Sequence, residues 1–292
     1  MKLEKIITLA NAVVKPQFMA MERSLRATGC DLPLWVIPYD ENLFELPPNA
    51  HWWREPALLS WIESQHLFKM CNKYQCFLTD NYQYVDSDII FFRNPLEVLA
   101  PVQGFISSCT HWNNPDHTYN PQSKAYFQSK STTWQKDIFN AGQFACDRVL
   151  YSLDSLIATC EGDFRDTLIR DINLYKDQVA INLLVGLSGV PVVNLTLPPY
   201  NMQSTWAGDY REKGFEAAYW SNPQTAPYLA HWAGIAIYDE LAINEYFYQH
   251  LSEREKKTWE AQVEQAFLDS KKLSLEQAKN KLRRVKKALQ SI

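Results

Sequence analysis

Residues 82–92 read Tyr-Gln-Tyr-Val-Asp-Ser-Asp-Ile-Ile-Phe-Phe, an apolar, β-prone run broken by two carboxylates. Tyr, Val, Ile and Phe favour strands, and a run flanked this way belongs in a buried parallel sheet covered on both faces. Carboxylates are rarely buried unpaired, so the acids mark the place where the backbone leaves the sheet. Residues two apart in a strand face the same way, which lets Asp86 and Asp88 converge while Ser87 turns aside. Two carboxylates at a strand's C-terminal end suit a hard divalent cation that keeps its other positions for phosphate oxygens and water. The triplet alone carries little, because 16 Asp in 292 residues give about one Asp-x-Asp by chance. Its apolar bracketing is what favours a metal site over a structural pair.

Around this stretch the pattern is α/β. Ile6–Asn11 reads as a first strand, Pro16 opens a helix with Phe18, Met21 and Leu25 on one face, and Leu34–Pro38 is a second strand, so the chain begins β-α-β. Pro47-Pro48 and Trp52-Trp53 fall in a polar connection, and Pro56 starts a helix carrying Leu59, Ile62, Leu67 and Met70, with Lys69 on it. Asn94-Pro95 begins a short helix and Phe105–Cys109 is a strand. Residues 111–137 lack a clear period, and so long a polar, aromatic-studded loop in a compact domain points to function. Helices are expected over 148–159, 164–175 and 177–184, the last with Asp177 at its N-cap, and short strands at 190–195 and before His231. A lone histidine after an apolar run is by itself an ordinary core residue.

Length sets one large domain or one with an appendage; the division expected is 1–240 for the α/β domain and 241–292 for a helical extension. The final 22 residues hold eight Lys and Arg against Glu276, beside a Leu275-Ala278-Leu282-Val285-Leu289 stripe, in a chain of net charge −4. Such a tail can lie on an anionic membrane surface or pack its stripe on the body. The acidic remainder argues against a nucleic-acid partner. Six cysteines without metal or disulfide spacing, no signal peptide and no membrane-length apolar run give the expectation of a cytoplasmic protein, peripheral on the inner membrane face if the tail engages lipid.

The order of the motifs resembles that of GT-A-fold glycosyltransferases, most closely the retaining, nucleotide-sugar-dependent family eight, over residues 6–238. Val85-Asp86-Ser87-Asp88-Ile89-Ile90 is similar to that family's metal-binding strand, Phe139-Asn140-Ala141-Gly142 to its Phe-Asn-x-Gly segment, and Asp177-Gln178 with Asn182 to its Asp-Gln-x-x-x-Asn helix. Leu197-Pro198 with Tyr200-Asn201, and His231-x-x-Gly234, match later motifs, the former one residue short.

The resemblance implies a Rossmann-like, mostly parallel sheet flanked by helices. It implies that Asp86, Asp88 and His231 ligate Mn²⁺ or Mg²⁺ bridging the diphosphate of a nucleotide sugar, with UDP the expected nucleotide and a glycan or lipid-linked acceptor. Ala10, Asn11, Lys69, Ser87, Gly142 and Gly234 fall where the family meets the donor, and Asn140, Asp177 and Gln178 would face the transferred sugar. Ile235-Ala236-Ile237-Tyr238 replaces the family's Lys-Pro-Trp, which shifts phosphate neutralisation to the metal and Lys69. An inverting enzyme would need a carboxylate base, for which Asp116 and Asp147 are candidates. The rival classes are a phosphatase of the haloacid dehalogenase type, disfavoured by Ile90 and by the late position of the triplet, and a non-catalytic sugar-binding module of the same fold.

Overall fold

The computed structural model describes residues 1–210, 222, 224–234, 241–261 and 265. In chain order it contains β1 (Lys5–Ala10), α1 (Lys15–Ala27), β2 (Leu34–Pro38), β3 (Ala50–Trp52), α2 (Pro56–Ser64), a 3₁₀ segment (Lys69–Leu78), β4 (Tyr82–Val85), β5 (Ile89–Phe91), α3 (Pro95–Leu99), β6 (Phe105–Ser107), α4 (Pro121–Lys130), β7 (Gln143–Cys146), α5 (Leu153–Glu161), α6 (Ile172–Ser188), β8 (Val192–Asn194), β9 (Leu229–His231) and α7 (Glu245–Tyr248). Seven strands form one sheet in the order β3-β2-β1-β4-β7-β6-β8, and β5 pairs with β9 in a separate ribbon. The ladders β1–β2, β1–β4, β2–β3 and β6–β8 are parallel, whereas β7 runs antiparallel to both its neighbours. The expected mostly parallel sheet flanked by helices is present, with β7 as the reversed strand.

Every residue of β1 is buried, as a strand covered on both faces requires. Alternate side chains feed two cores: Ile7, Leu9, Tyr82 and Tyr84 join one cluster, Ile6, Ala10, Leu34 and Val36 the other. The first is closed by the 3₁₀ segment through Cys71, Tyr74 and Phe77 and by α6 through Ala180, Ile181 and Leu184. The second is closed by α1 through Phe18, Met21 and Leu25. Each such apolar side chain contributes about 1.5–3 kcal/mol on full burial. α1 begins at Lys15-Pro16, where a missing N–H costs nothing, and ends with Arg26 in its last turn and Gly29 at φ 79°. The six cysteines are free and buried.

Several expectations change, among them the polar connection at Trp52, where Ala50–Trp52 forms the strand β3, and the helix expected from 148, which starts at Leu153. The 82–92 run is two strands in two different sheets, because Asp86-Ser87-Asp88 turns the chain out of the main sheet. The helix from Pro56 stops at Ser64, and His66 at φ 53° redirects the backbone into the 3₁₀ segment, so Lys69 opens a new element. Within 111–137 lies α4, whose start at Asn120-Pro121 carries a reciprocal cap: Ser123 N–H donates to Asn120 Oδ1 at 2.8 Å and Asn120 N–H donates to Ser123 Oγ at 2.9 Å. The basic stripe from 271 to 292, the segment 235–240 and most of the expected extension lie outside the described residues.

Candidate metal centre and adjoining cleft

β4 delivers Asp86 at its C-terminal end and β5 begins just after Asp88, while the antiparallel β5–β9 register sets Ile89 opposite His231. Trp232 N–H donates to Asp88 O at 3.0 Å and His231 N–H to Thr205 O at 2.7 Å, which fixes the backbones on either side of the imidazole. One ligand atom from each of Asp86, Asp88 and His231 lies within 4.8 Å of the others. His231 Nε2 is 3.2 Å from Asp88 Oδ1 and 3.8 Å from Asp86 Oδ2, and yet it makes no hydrogen bond. A buried ring nitrogen left orphaned beside two carboxylates is the donor set a divalent cation satisfies, two hard oxygens and one imidazole. The residues present therefore fit the metal. Burial opposes charge on His231, but Asp88 and then Asp86 outweigh it and hold the imidazole above its ordinary pKa. Asp88 is likewise penalised by burial and held below the usual carboxylate range by His231.

Asp86 is oriented from behind. Tyr84 O–H donates to its Oδ1 at 2.5 Å and Lys73 Nζ reaches the same oxygen at 3.4 Å, leaving Oδ2 toward His231. Lys73 is wholly buried; it also pairs with Asp177 Oδ2 at 2.7 Å, donates to Ala141 O at 3.3 Å and lies 5.0 Å from the Tyr84 ring centroid. Burial disfavours its charge, but Asp177 and Asp86 raise its pKa above the ordinary lysine value. Asp177 follows Lys176, whose φ of 60° and ψ of −171° interrupt α6, so the carboxylate starts a fresh helical run aimed at Lys73. That conformation belongs to a region almost confined to glycine, where strain of about 1–3 kcal/mol persists only if the surroundings impose it.

Against this charged layer stands the turn Phe139–Gly142. Asp86 N–H donates to Gly142 O at 2.8 Å, and a Cβ on Gly142 would fall 2.3 Å from both Asp86 Oδ2 and His231 Cε1. Only glycine allows so close an approach. Asn140 Oδ1 accepts from Gly142 N–H at 2.7 Å, and its Nδ2 lies 3.4 Å from His111 Nε2. Gln178 Oε1 accepts from Ala141 N–H at 2.8 Å, and its Nε2 donates to Phe139 O at 2.5 Å.

Leu9, Ala10, Asn11, Val13, Val14, Gln17, Tyr39 and Met70 wall a cleft of about 510 Å³ whose floor is Asp86-Ser87-Asp88. Ala10 and Asn11 thus stand at the same opening as the acids, in the crevice beyond the carboxyl ends of β1 and β4 where open α/β sheets bind ligands. Asn11 Nδ2 donates to Asp40 Oδ2 at 2.9 Å. Lys69 lines a different cleft of about 390 Å³, with Glu41, Arg54 and Glu63, so the lysine at the acids is Lys73. Its signal lay in a lysine set among Met70, Cys71, Tyr74, Cys76 and Phe77, which needs a counter-charge. Gly234 is exposed at φ 67°. Asp147 accepts from Gly104 N–H at 2.7 Å and pairs with Arg148, at the Tyr82 end of β4 and away from Asp86; Asp116 accepts from Tyr119 O–H at 2.9 Å in the loop after β6.

No family model matches the chain, and no curated protein matches it. Several solved structures are similar. A galactosyltransferase, LgtC, in complex with donor and acceptor sugar analogs aligns at 15% identity over 84% of this chain and 94% of that one, with a TM-score of 0.49. The bifunctional glycosyltransferase WbbM, in its apo structure, aligns at 12% identity over 86% of this chain and 50% of that one, TM-score 0.49. The apo-form glycosyltransferase GlyE of Streptococcus pneumoniae TIGR4 aligns at 12% identity over 92% and 64%, TM-score 0.43.

Proposed function

We propose that the chain is a metal-dependent GT-A glycosyltransferase that moves a sugar from a nucleotide-diphosphate sugar to a glycan or lipid-linked acceptor, with retention. The observation that carries this reading is the orphaned Nε2 of His231 facing Asp86 and Asp88 at the floor of the 510 Å³ cleft. Asp86, Asp88 and His231 would hold Mn²⁺ or Mg²⁺, which when bound supplies Lewis-acid stabilisation of the charge that grows on a departing diphosphate. The apolar walls around Leu9, Val13, Val14 and Met70, with Tyr39 and the Asn11–Asp40 pair, suit a nucleoside, UDP in the first instance. By the motif resemblance, Asn140 and Asp177 would face the transferred sugar, with Gly142 at the donor. Lys73 pairs with both Asp86 and Asp177 and so holds the two carboxylates at a fixed separation, in place without reorganisation.

The motif resemblance set out from the sequence supports the family-eight reading, including retention. It also leaves the basic stripe of 271–292 for peripheral contact with an anionic membrane. The test is a screen of nucleotide sugars for slow hydrolysis without acceptor, in Mn²⁺ and in EDTA. We expect one UDP-sugar to be cleaved only with metal, the released sugar keeping its anomeric configuration by NMR, and Asp86→Asn or Asp88→Asn to abolish cleavage with the fold intact. Equal rates in EDTA, or an unaffected Asp86→Asn variant, would remove the metal from the reaction.

A further inference from the structure

Five of the eight main-chain polar groups of Phe139–Gly142 are held by side chains from outside the turn. Phe139 N–H donates to Asn182 Oδ1 at 3.0 Å, and Phe139 O accepts from Asn182 Nδ2 at 2.8 Å as well as from Gln178 Nε2 at 2.5 Å. Asn140 N–H meets Cys109 Sγ at 3.1 Å. Ala141 N–H donates to Gln178 Oε1 at 2.8 Å and Ala141 O accepts from Lys73 Nζ at 3.3 Å. Asn182 Nδ2 also donates to the main-chain carbonyl of Gln178 at 2.8 Å, one helical turn back on α6, so Asn182 is tied to its own helix as well as to the turn.

A carboxamide has one oxygen and one NH₂ to offer, and in Gln178 both ends are directed at backbone two residues apart. That geometry reads the spacing between Phe139 O and Ala141 N–H as a strut reads a gap. Downstream of the strut, Gly142 lies against both Asp86 Oδ2 and His231 Cε1 and receives the Asp86 N–H. A displacement of the turn by a fraction of an ångström therefore reaches two of the three candidate ligands directly.

We infer that Gln178 is a positioning residue: together with Asn182 it holds the Phe139–Gly142 turn, and through that turn the placement of Asp86 and His231. It acts through backbone, whereas the motif resemblance had set it facing the transferred sugar. The inference deepens the metal-dependent transfer reading and rests on it for the consequence at the metal, but the strut itself is a property of the fold.

The test uses Gln178→Met, which keeps length and loses both hydrogen bonds, and Asn182→Leu, which reaches the same Phe139 carbonyl from a residue 2% exposed. Two quantities are measured on the full-length protein: Mn²⁺ affinity by calorimetry, and amide hydrogen exchange over 139–142. Outer-shell partners of metal ligands typically carry a 10–100-fold effect on affinity, so we expect Gln178→Met to weaken Mn²⁺ binding about tenfold or more and to speed exchange at Phe139 and Ala141. Asn182→Leu should do the same, and the double variant should be no weaker than the worse single variant by more than a few-fold, because both remove one support. Gln178→Glu should follow Gln178→Met, since a carboxylate repels the Phe139 carbonyl. A Gln178→Met protein with wild-type Mn²⁺ affinity and wild-type exchange overturns the inference, whatever happens to turnover. If Asn182→Leu does not fold, Gln178→Met alone decides. A wild-type protein that binds no Mn²⁺ sinks the transfer reading instead, and the exchange rates still decide whether Gln178 holds the turn.

Discussion

At the scale of single residues, the candidate site is an arrangement of charges kept from neutralising one another in the wrong pairs. Lys73 is the pivot: fully buried, it answers Asp177 at 2.7 Å and Asp86 at 3.4 Å. Removing one partner of a buried pair costs about 3–5 kcal/mol, because the other charge stays behind. Asp177 and Asp86 keep some exposure, so Lys73→Met should lower unfolding free energy by about 3 kcal/mol in urea titration, and a loss below 1 kcal/mol would show the carboxylates to be solvated well enough without it. Gly142→Ala makes a sharper case. Its Cβ would sit 2.3 Å from Asp86 Oδ2 and from His231 Cε1, so Mn²⁺ affinity by calorimetry should fall at least tenfold while the melting temperature changes little. Asp86, Asp88 and His231 were readable because an acid-bearing apolar run and an apolar-then-histidine segment are local patterns, and their convergence is met in space. Lys73 was missed: its apolar neighbours were a local sign, but which lysine is buried is a tertiary fact, and the sequence drew attention to Lys69 four positions earlier, which faces another cleft.

At the scale of elements, the sequence reading held where one periodicity governed and failed where two elements shared a run. β1, α1 and β2 each follow a single pattern and lie where it puts them, within a residue or so. The 82–92 run has strand character throughout, and nothing local reveals that its halves pair with different partners, β1 and β7 on one side and β9 on the other. α4 was hidden by weak amphipathicity, with Phe127 its one large buried side chain, although Asn120-Pro121 with Ser123 was a legible start. Beyond α7, helical backbone over 253–261 returns to α1 through Arg23, which meets Glu255 at 2.7 Å and donates to His250 O at 2.8 Å. The Arg23 hydrogen bond holds the Glu255 carboxyl down at about 2, from an ordinary 4.5. A depressed acid stabilises the fold above its ordinary pKa and loses that contribution as pH falls toward the folded value. The docking of this segment should thus be intact above about pH 4.5 and fade between there and about 2. With both side chains partly exposed, the pair is worth about 1 kcal/mol at most. Acid titration of wild type against Glu255→Gln reads this directly: the two stability curves should converge toward pH 2, and parallel curves would assign the loss to other groups.

At the scale of the whole molecule, the α/β class and the helix-flanked sheet followed from alternation of element types, whereas the reversal of β7 depends on which neighbours it meets across space. Among the described residues no helix is long and apolar enough to cross a membrane. The basic stripe of 271–292 gives a prediction of its own: at roughly 1 kcal/mol for each Lys or Arg near an anionic surface, the full chain should co-sediment with anionic vesicles at low salt and leave them at high salt. A chain ending at Asp269 should stay in the supernatant, and equal sedimentation of both would make the stripe a packing face. The β5–β9 ribbon has a different consequence, in the order of biosynthesis. Its register couples Ile89 to His231, so the imidazole and the acids are separated by about 140 residues of chain. At 5–20 residues per second a ribosome needs on the order of ten seconds between exposing the acids and exposing the histidine. Through that interval the nascent chain presents two carboxylates without their nitrogen partner, and any cation they recruit is held weakly and exchanged freely. Completion of the three-residue donor set thereby waits until every strand of the main sheet has been synthesised.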